Sequence, residues 1–199
     1  MEASFSAHVY TEKYNPCVSG ECLYNKILAQ EGGKATIIAK EEPNFWNIAT
    51  AEDTGLYAMQ DEYGMSFYYR GNKNLLNNNI IFGGFQWKII RINGDGSVRL
   101  IYNGTCPNDT CTINSTGINT QIGDSPWHSI ESLSNADAKY LGYMFGGANG
   151  VASTSREEAL RNETSSDIKV VLENWYKNNI YGEPFESMIV DNLFVMTAN

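Results

Sequence analysis

"FQWKIIRINGDGSVRLIYNG", residues 85–104, sets two runs rich in β-branched and aromatic residues on either side of Asn93-Gly94-Asp95-Gly96. Two acceptor side chains and two glycines suit a calcium loop, and they suit equally well a chain that must reverse within a few residues. With Gly96 at the sixth position of an EF-hand pattern, Asn93 and Asp95 fall on ligand positions, but Arg91 takes the first and Tyr102 the last. A cation at the first position repels calcium, and Tyr102 cannot chelate as the usual bidentate Glu does. A hairpin asks only for residues that tolerate φ > 0, which Asn-Gly and Asp-Gly supply at little cost. The stretch reads as two antiparallel strands joined by a turn.

Upstream, "GLYAM" from Gly55, "GMSFYYRG" at 64–71 and "NIIFGGFQWKIIRI" at 79–92 carry the same β signal between Gly/Asn clusters. They predict a meander of short antiparallel strands over about 64–104. Within it Trp87, Ile89 and Arg91 alternate with Gln86, Lys88, Ile90 and Ile92. One end of that strand is half exposed and the other apolar on both faces, which places it inside the sheet with something packed over it. Residues 22–31 put Leu23, Ile27 and Gln30 on one helical face, with Gly32-Gly33 as the stop. "ATIIAKEEPNFWNIAT", 35–50, reads as an extended connection broken at Pro43, whose Phe45 and Trp46 dock on the core.

Downstream, residues 105–129 form a polar stretch long enough to imply a functional or locally stapled loop. Short helices are expected over Asp137–Phe145 and over Ser153–Arg161, the latter with Thr154 or Ser155 as N-cap ahead of Glu157 and Glu158. The strongest helical pattern is "SSDIKVVLENWYKNN". Ser165 or Ser166 caps it, and Ile168, Val171, Leu172, Trp175 and Tyr176 form an apolar stripe that needs a sheet face to cover. The expected fold is α+β, an antiparallel meander covered by C-terminal helices. A chain of 199 residues supports one domain, here 22–199 behind an N-terminal extension 1–21. The end, "PFESMIVDNLFVMTAN", stops while still apolar, as a chain cut from a longer parent would.

The formal charge of -9, with no Lys/Arg run to override it, opposes a nucleic-acid partner. No apolar run approaches the roughly 18 residues that span a bilayer, and "MEASFSAHVYTEK" has neither the basic nor the apolar region of a signal peptide. Charged residues are 19% of the chain while twelve tyrosines help bring aromatics to 12%, so amides and hydroxyls carry much of the solubility, a habit of secreted proteins. The four cysteines fall in two C-x4-C loops, Cys17–Cys22 and Cys106–Cys111. Local disulfides are the favoured reading, which points to an extracellular or cell-surface location. A four-thiolate zinc site, whose usual knuckles carry two intervening residues, and unpaired thiols are the alternatives. Four Asn-x-Ser/Thr sequons, at Asn103, Asn108, Asn114 and Asn162, are no more than the composition gives by chance.

Catalytic signatures are sparse. The two histidines, His8 and His128, belong to no metal motif, and there is no nucleophile elbow, P-loop or dinucleotide fingerprint. A Cys–His dyad of His128 with Cys106 or Cys111 would lose its nucleophile to a disulfide. The adjacent acids Glu41-Glu42, Glu52-Asp53, Asp61-Glu62 and Glu157-Glu158 point apart as sequence neighbours, unlike the convergent pair of a glycosidase. No catalytic, metal or cofactor residue is assigned. Phe67, Tyr68, Tyr69, Trp87, Trp127 and Tyr143 could stack on sugar rings or simply pack the sheet. Tyr68, Trp127 and Tyr143 are the candidate ligand-binding residues.

The run "GLYAMQDEYGMSFYYRGN...NIIFGGFQWKIIRINGDGSVRLIYNGT", with "TQIGDSPW", "YLGYMFG" and "IKVVLENWYKNNI" after it, resembles a family of uncharacterised secreted or membrane-anchored proteins of anaerobic Gram-positive bacteria. The likeness extends from about residue 22 and includes the lead-in "LAQEGGKATIIAKEEPNFWNIAT". It implies an architecture distantly like that of C-type lectins or formylglycine-generating enzymes, and structural roles for Trp87, Arg91, Arg99 and Trp175. It transfers no catalytic residue. The expected function is a noncatalytic extracellular cell-surface module for adhesion or glycan binding, with carbohydrate or cell-envelope components as partners. A glycan-acting hydrolase and a purely structural surface or pilus-associated subunit are the alternatives.

Overall fold

Five antiparallel strands make the main sheet: β1 (Gly55–Asp61), β2 (Gly64–Arg70), β3 (Asn79–Phe82), β4 (Phe85–Ile92) and β5 (Val98–Thr105). The computed structural model describes residues 22–62, 64–72, 75–123, 144–148, 151 and 153–190. Helices α1 (Leu23–Gln30) and α2 (Lys34–Ile38) precede the sheet. After it come the ribbon of β6 (Met144–Phe145) with β7 (Thr164–Ser165), the one-turn helix α3 (Arg156–Ala159) and α4 (Asp167–Asn179). The class is α+β, and no helix among the described residues is long and apolar enough to cross a membrane.

The strand order departs from a plain meander. β5 runs along one edge of β4, from Phe85↔Thr105 to Ile92↔Val98. The other edge is shared end to end by β3, paired from Asn79↔Lys88 to Phe82↔Phe85, and by β2, paired at Phe67↔Ile92 and Tyr68↔Arg91. Asn78 extends the β3 ladder: its carbonyl accepts from Ile89 N (2.8 Å) and its Nδ2 donates to Ile89 O (2.8 Å).

Both reversals around β4 follow from residue type. Gly83-Gly84, at φ 58° and 77°, close a two-residue loop that other residues enter with strain. In the β4–β5 hairpin Asn93 N donates to Ser97 O (2.8 Å) and Gly96 N to Asn93 O (2.9 Å), with Gly96 alone taking positive φ, 86°. Asp95 Oδ1 accepts from Ser97 N (2.9 Å) and Ser97 Oγ (2.7 Å), and Asn93 Nδ2 donates to Ser97 Oγ (2.8 Å). The polar side chains of the turn thus hold its own loop.

Two irregularities interrupt the β4–β5 ladder, and the one on β4 decides which way that strand faces. Between Ile89↔Leu100 and Arg91↔Arg99, Ile90 is an extra residue on β4; between Phe85↔Thr105 and Trp87↔Tyr102, β5 carries two residues against Gln86 alone. A bulge shifts the phase of the strand that carries the extra residue by one, so the bulge at Ile90 is the one that changes the facing of β4. Ile89 and Ile92 consequently enter the same buried cluster, and Arg91 turns to the opposite face with its partner Tyr68.

That cluster joins Leu56, Phe67, Ile89 and Ile92 of the sheet to Ile27 and Leu28 of α1 and Ile37 of α2. The helices in it are N-terminal; the helix at 166–178, expected to cover the meander, is not part of the cluster. The α1 stripe is Tyr24, Ile27 and Leu28 at helical spacing, while Leu23 is 41% exposed. Residues 35–38, expected to be extended, belong to α2 because Pro43 lies beyond the helix end and Ile37, wholly buried, has the sheet to pack on.

By contact the described residues fall into two compact units, one from the chain up to Ile118 with Ile189 and Val190, the other from Asn119–Met188. In the second, Ser166 Oγ caps α4 by accepting from Lys169 N (3.2 Å), as the sequence predicts, and Lys169 pairs with Glu173 one turn on. Ser155 Oγ caps α3 by accepting from Glu158 N (3.1 Å), and the Glu158 carboxylate accepts from the N–H of Thr154, the residue before the cap. Of the helix expected over 137–145, residues 137–143 lie outside the described residues and Met144–Phe145 form β6.

Candidate functional site

The β1–β2 hairpin pairs Tyr57↔Tyr68, Met59↔Ser66 and Asp61↔Gly64. Cross-strand partners share a face, so Asp61, Ser66 and Tyr68 stand together, and Tyr68↔Arg91 brings in the Arg91 guanidinium. Asp61 Oδ2 accepts from Arg91 Nη2 (2.6 Å) and from the Tyr68 hydroxyl (2.6 Å), while Oδ1 accepts from Ser66 Oγ (3.1 Å). Arg91 Nη2 also donates to Ser66 Oγ (3.2 Å), and the guanidinium lies 4.9 Å from the Tyr68 ring centroid.

The Arg91 and Asp61 side chains are only 13% and 12% exposed, so their attraction is little screened. Burial, and then the hydrogen bond to Asp61, push the Tyr68 phenol up to about 12. Tyr68, a candidate from the sequence, therefore has its hydroxyl engaged by Asp61 and its ring in contact with Arg91. Trp127 and Tyr143, the other two candidates, lie outside the described residues, as do His128 and Cys17.

A second arginine organises the segment before β1. From the end of β2, Arg70 Nε donates to Asp53 Oδ2 (3.0 Å), and its Nη2 donates to the carbonyls of Asn47 (2.8 Å) and Asn44 (3.3 Å). The guanidinium sits 5.5 Å from the Phe45 ring centroid. Asp53 also accepts from the backbone N–H and hydroxyl of Thr50. That Thr50 N–H, with Arg70 after it, holds the Asp53 carboxyl below its ordinary value.

The loop so braced places neither of its aromatics in the core cluster. Phe45 lies against Arg70 and is 40% exposed, and Trp46 is 97% and Ile48 92% exposed, against the expectation that Phe45 and Trp46 both pack on the core. The turn in which Asn47 N donates to Asn44 O (3.0 Å) and Asn44 Oδ1 accepts from Trp46 N (3.0 Å) fixes the backbone of this loop.

Beyond β5, Cys106 and Cys111 form a disulfide, Cα–Cα 4.7 Å, around a short 3-10 turn at Pro107–Asp109. Cys22 is also disulfide-bonded. The Cys106–Cys111 bond removes two of the four thiolates that a shared zinc site would need. The segment after it returns to the sheet: Thr105 N donates to Ile118 O (2.7 Å), Ile118 N to Thr105 O (3.0 Å), and buried Gln86 donates to Thr112 O (3.1 Å).

Sequence reasoning marked Tyr68 and Arg91, named Asp61 and Asp53 only as acids that point away from their neighbours, and missed Ser66 and Arg70. The mirror relation of a hairpin closing at Asp61↔Gly64 was the available signal, since it alone sets Asp61 and Ser66 on the face of Tyr68. Nothing in the spacing of Arg70 pointed to residues 44–53. Compared with known proteins, the chain matches no family, no curated protein and no solved structure.

Proposed function

We propose that this chain is a noncatalytic extracellular cell-surface module that recognises its partner, a glycan or another cell-envelope component, by surface contact. The observation that carries this reading is the braced loop: two large apolar side chains, Trp46 and Ile48, stand almost wholly in solvent on a backbone held by three hydrogen bonds from Arg70 to Asp53, Asn47 and Asn44. Exposing them costs solvation free energy, and fixing their backbone in advance removes part of the ordering cost of binding. The Tyr68 cluster supports a scaffold role beside it. Its one carboxylate, Asp61, accepts from three donors and is ion-paired, an arrangement suited to holding a sheet face rather than to moving protons. The Cys106–Cys111 disulfide fits an oxidising environment.

A glycan and cell-envelope array probed with folded protein at high concentration tests the reading. Binding without turnover of the captured ligand is the expected result. Complete silence from protein whose melting transition shows it folded would favour a purely structural subunit, and cleavage of an arrayed glycan would favour a hydrolase.

A further inference from the structure

We propose that the loop at 44–48 is a platform for a neutral, N-acetylated sugar chain, with the Trp46 indole stacking on a pyranose ring and Ile48 taking an acetamido methyl group. The inference rests on the reading of the chain as a surface recognition module and adds the ligand's chemistry.

Three observations select this ligand. The first is the flat face of Trp46, 97% exposed on a backbone that Arg70 and Asn44 hold in place. A pyranose presents a patch of C–H bonds that covers an indole, and an aromatic offers large contact area with few rotors to freeze. The second is Ile48, two residues on and 92% exposed. A β-branched aliphatic side chain gains nothing from hydroxyls, so a plain glucan leaves it unused, whereas an acetamido methyl gives it an apolar partner. The third is charge. The acids flanking the loop, Glu41, Glu42 and Glu52, are exposed, while of the neighbouring cations Arg70 is ion-paired with Asp53 and Lys40 donates to the Leu56 carbonyl (3.1 Å). Sialylated, uronic or phosphorylated chains and anionic lipid surfaces are repelled there, while a neutral sugar is not.

The test is saturation-transfer NMR and calorimetry with the folded chain and two soluble probes of equal length, an N-acetylglucosamine oligosaccharide and a β-glucan oligosaccharide. Vesicles of zwitterionic and of anionic lipid serve as a third arm. The N-acetylated probe is expected to bind, and Trp46→Ala to weaken it by about tenfold or more with an unchanged melting temperature, because the ring packs on little of the protein. Ile48→Ser is expected to narrow the preference for the acetylated probe over the glucan while sparing the glucan. Binding that Trp46→Ala leaves intact, equal affinity for the two probes, or Trp46-dependent binding to vesicles instead of sugars overturns the proposal. If the N-acetylated probe is silent but the glycan and cell-envelope array finds another ligand, the platform falls while the recognition module stands; if the probe and the whole array are silent, both fall.

Discussion

Replacing Arg91 with methionine keeps most of the side-chain volume and removes the charge, leaving the Asp61 carboxylate with the Tyr68 hydroxyl and Ser66 Oγ as donors. The ion pair is 2.6 Å long, and its side chains are 13% and 12% exposed, so water cannot replace the guanidinium freely. Breaking a buried pair from one side costs roughly 3–5 kcal/mol. The two surviving hydrogen bonds place the loss at the lower end, about 3 kcal/mol, which in a chain of this size lowers Tm by roughly 6–12 °C. Asp61→Asn removes the other charge, and the double variant is expected to fall short of the summed single losses by about 1–3 kcal/mol, the signature of coupled partners. Urea unfolding followed by circular dichroism gives all four corners of the cycle. Arg161→Met is the control. Its contact with Glu163 is 3.9 Å long between side chains 59% and 57% exposed, and its loss should cost no more than about 0.5 kcal/mol. A loss below about 1 kcal/mol for Arg91→Met, or strict additivity in the cycle, would refute the claim that this network holds the sheet face.

Three further outcomes are expected. Ile37→Ala, at a wholly buried position of α2, should cost about 2–5 kcal/mol, and Ile38→Ala, 45% exposed beside it, well under half of that; equal losses in urea would mean that α2 does not cover the sheet as described. Because the folded state raises the Tyr68 phenol from about 10 to about 12, its contribution is complete below pH 10 and is lost as pH rises through the folded value. Urea midpoints should therefore decline less steeply between pH 10 and 12 in Tyr68→Phe than in the parent, and parallel profiles would contradict the assignment. Cys106→Ser with Cys111→Ser opens a small loop and should lower stability by about 2 kcal/mol, measured against the parent without reductant; an unchanged midpoint would show that the bridge constrains nothing the fold needs.

The strands, the turn at 93–97 and the capped helix at 166–178 were legible because each is local: alternation, a Gly at the reversal and a Ser before an apolar stripe report on a few neighbours at a time. What could not be read depends on distant partners. Pro43 suggested that no helix precedes it, yet α2 ends at Ile38 and is stabilised by Leu56, Phe67, Ile89 and Ile92, none of them near it in sequence. The apolar stripe of the helix at 166–178 demanded cover but carried no label for what supplies it, and the short N-terminal helices α1 and α2, which pack on the sheet, carried no pattern that named the sheet as their partner. Trp46 shows the same limit from the other side. Hydrophobicity alone assigns it to a core, whereas the loop that carries it is held by hydrogen bonds of Arg70 to Asn44 and Asn47, more than twenty residues away, which no local pattern announces.

The placement of Arg91 joins the two levels. Strict alternation from Ile89, a core residue, would send Arg91 into the same apolar cluster, where a guanidinium is too costly to bury without a partner. Ile90, the extra residue of the bulge, absorbs one step of the pleat; it is 40% exposed, and it delivers Ile92 to the core and Arg91 to Asp61. Apolar character cannot reveal this, because Ile89, Ile90 and Ile92 are the same residue type and the stretch reads equally well with either phase. The charge does reveal it. An arginine inside an otherwise apolar run, with the carboxylate of a hairpin end two strands away, is satisfied only if the strand slips by one, so the ion pair and the bulge specify each other and fix the register of the sheet.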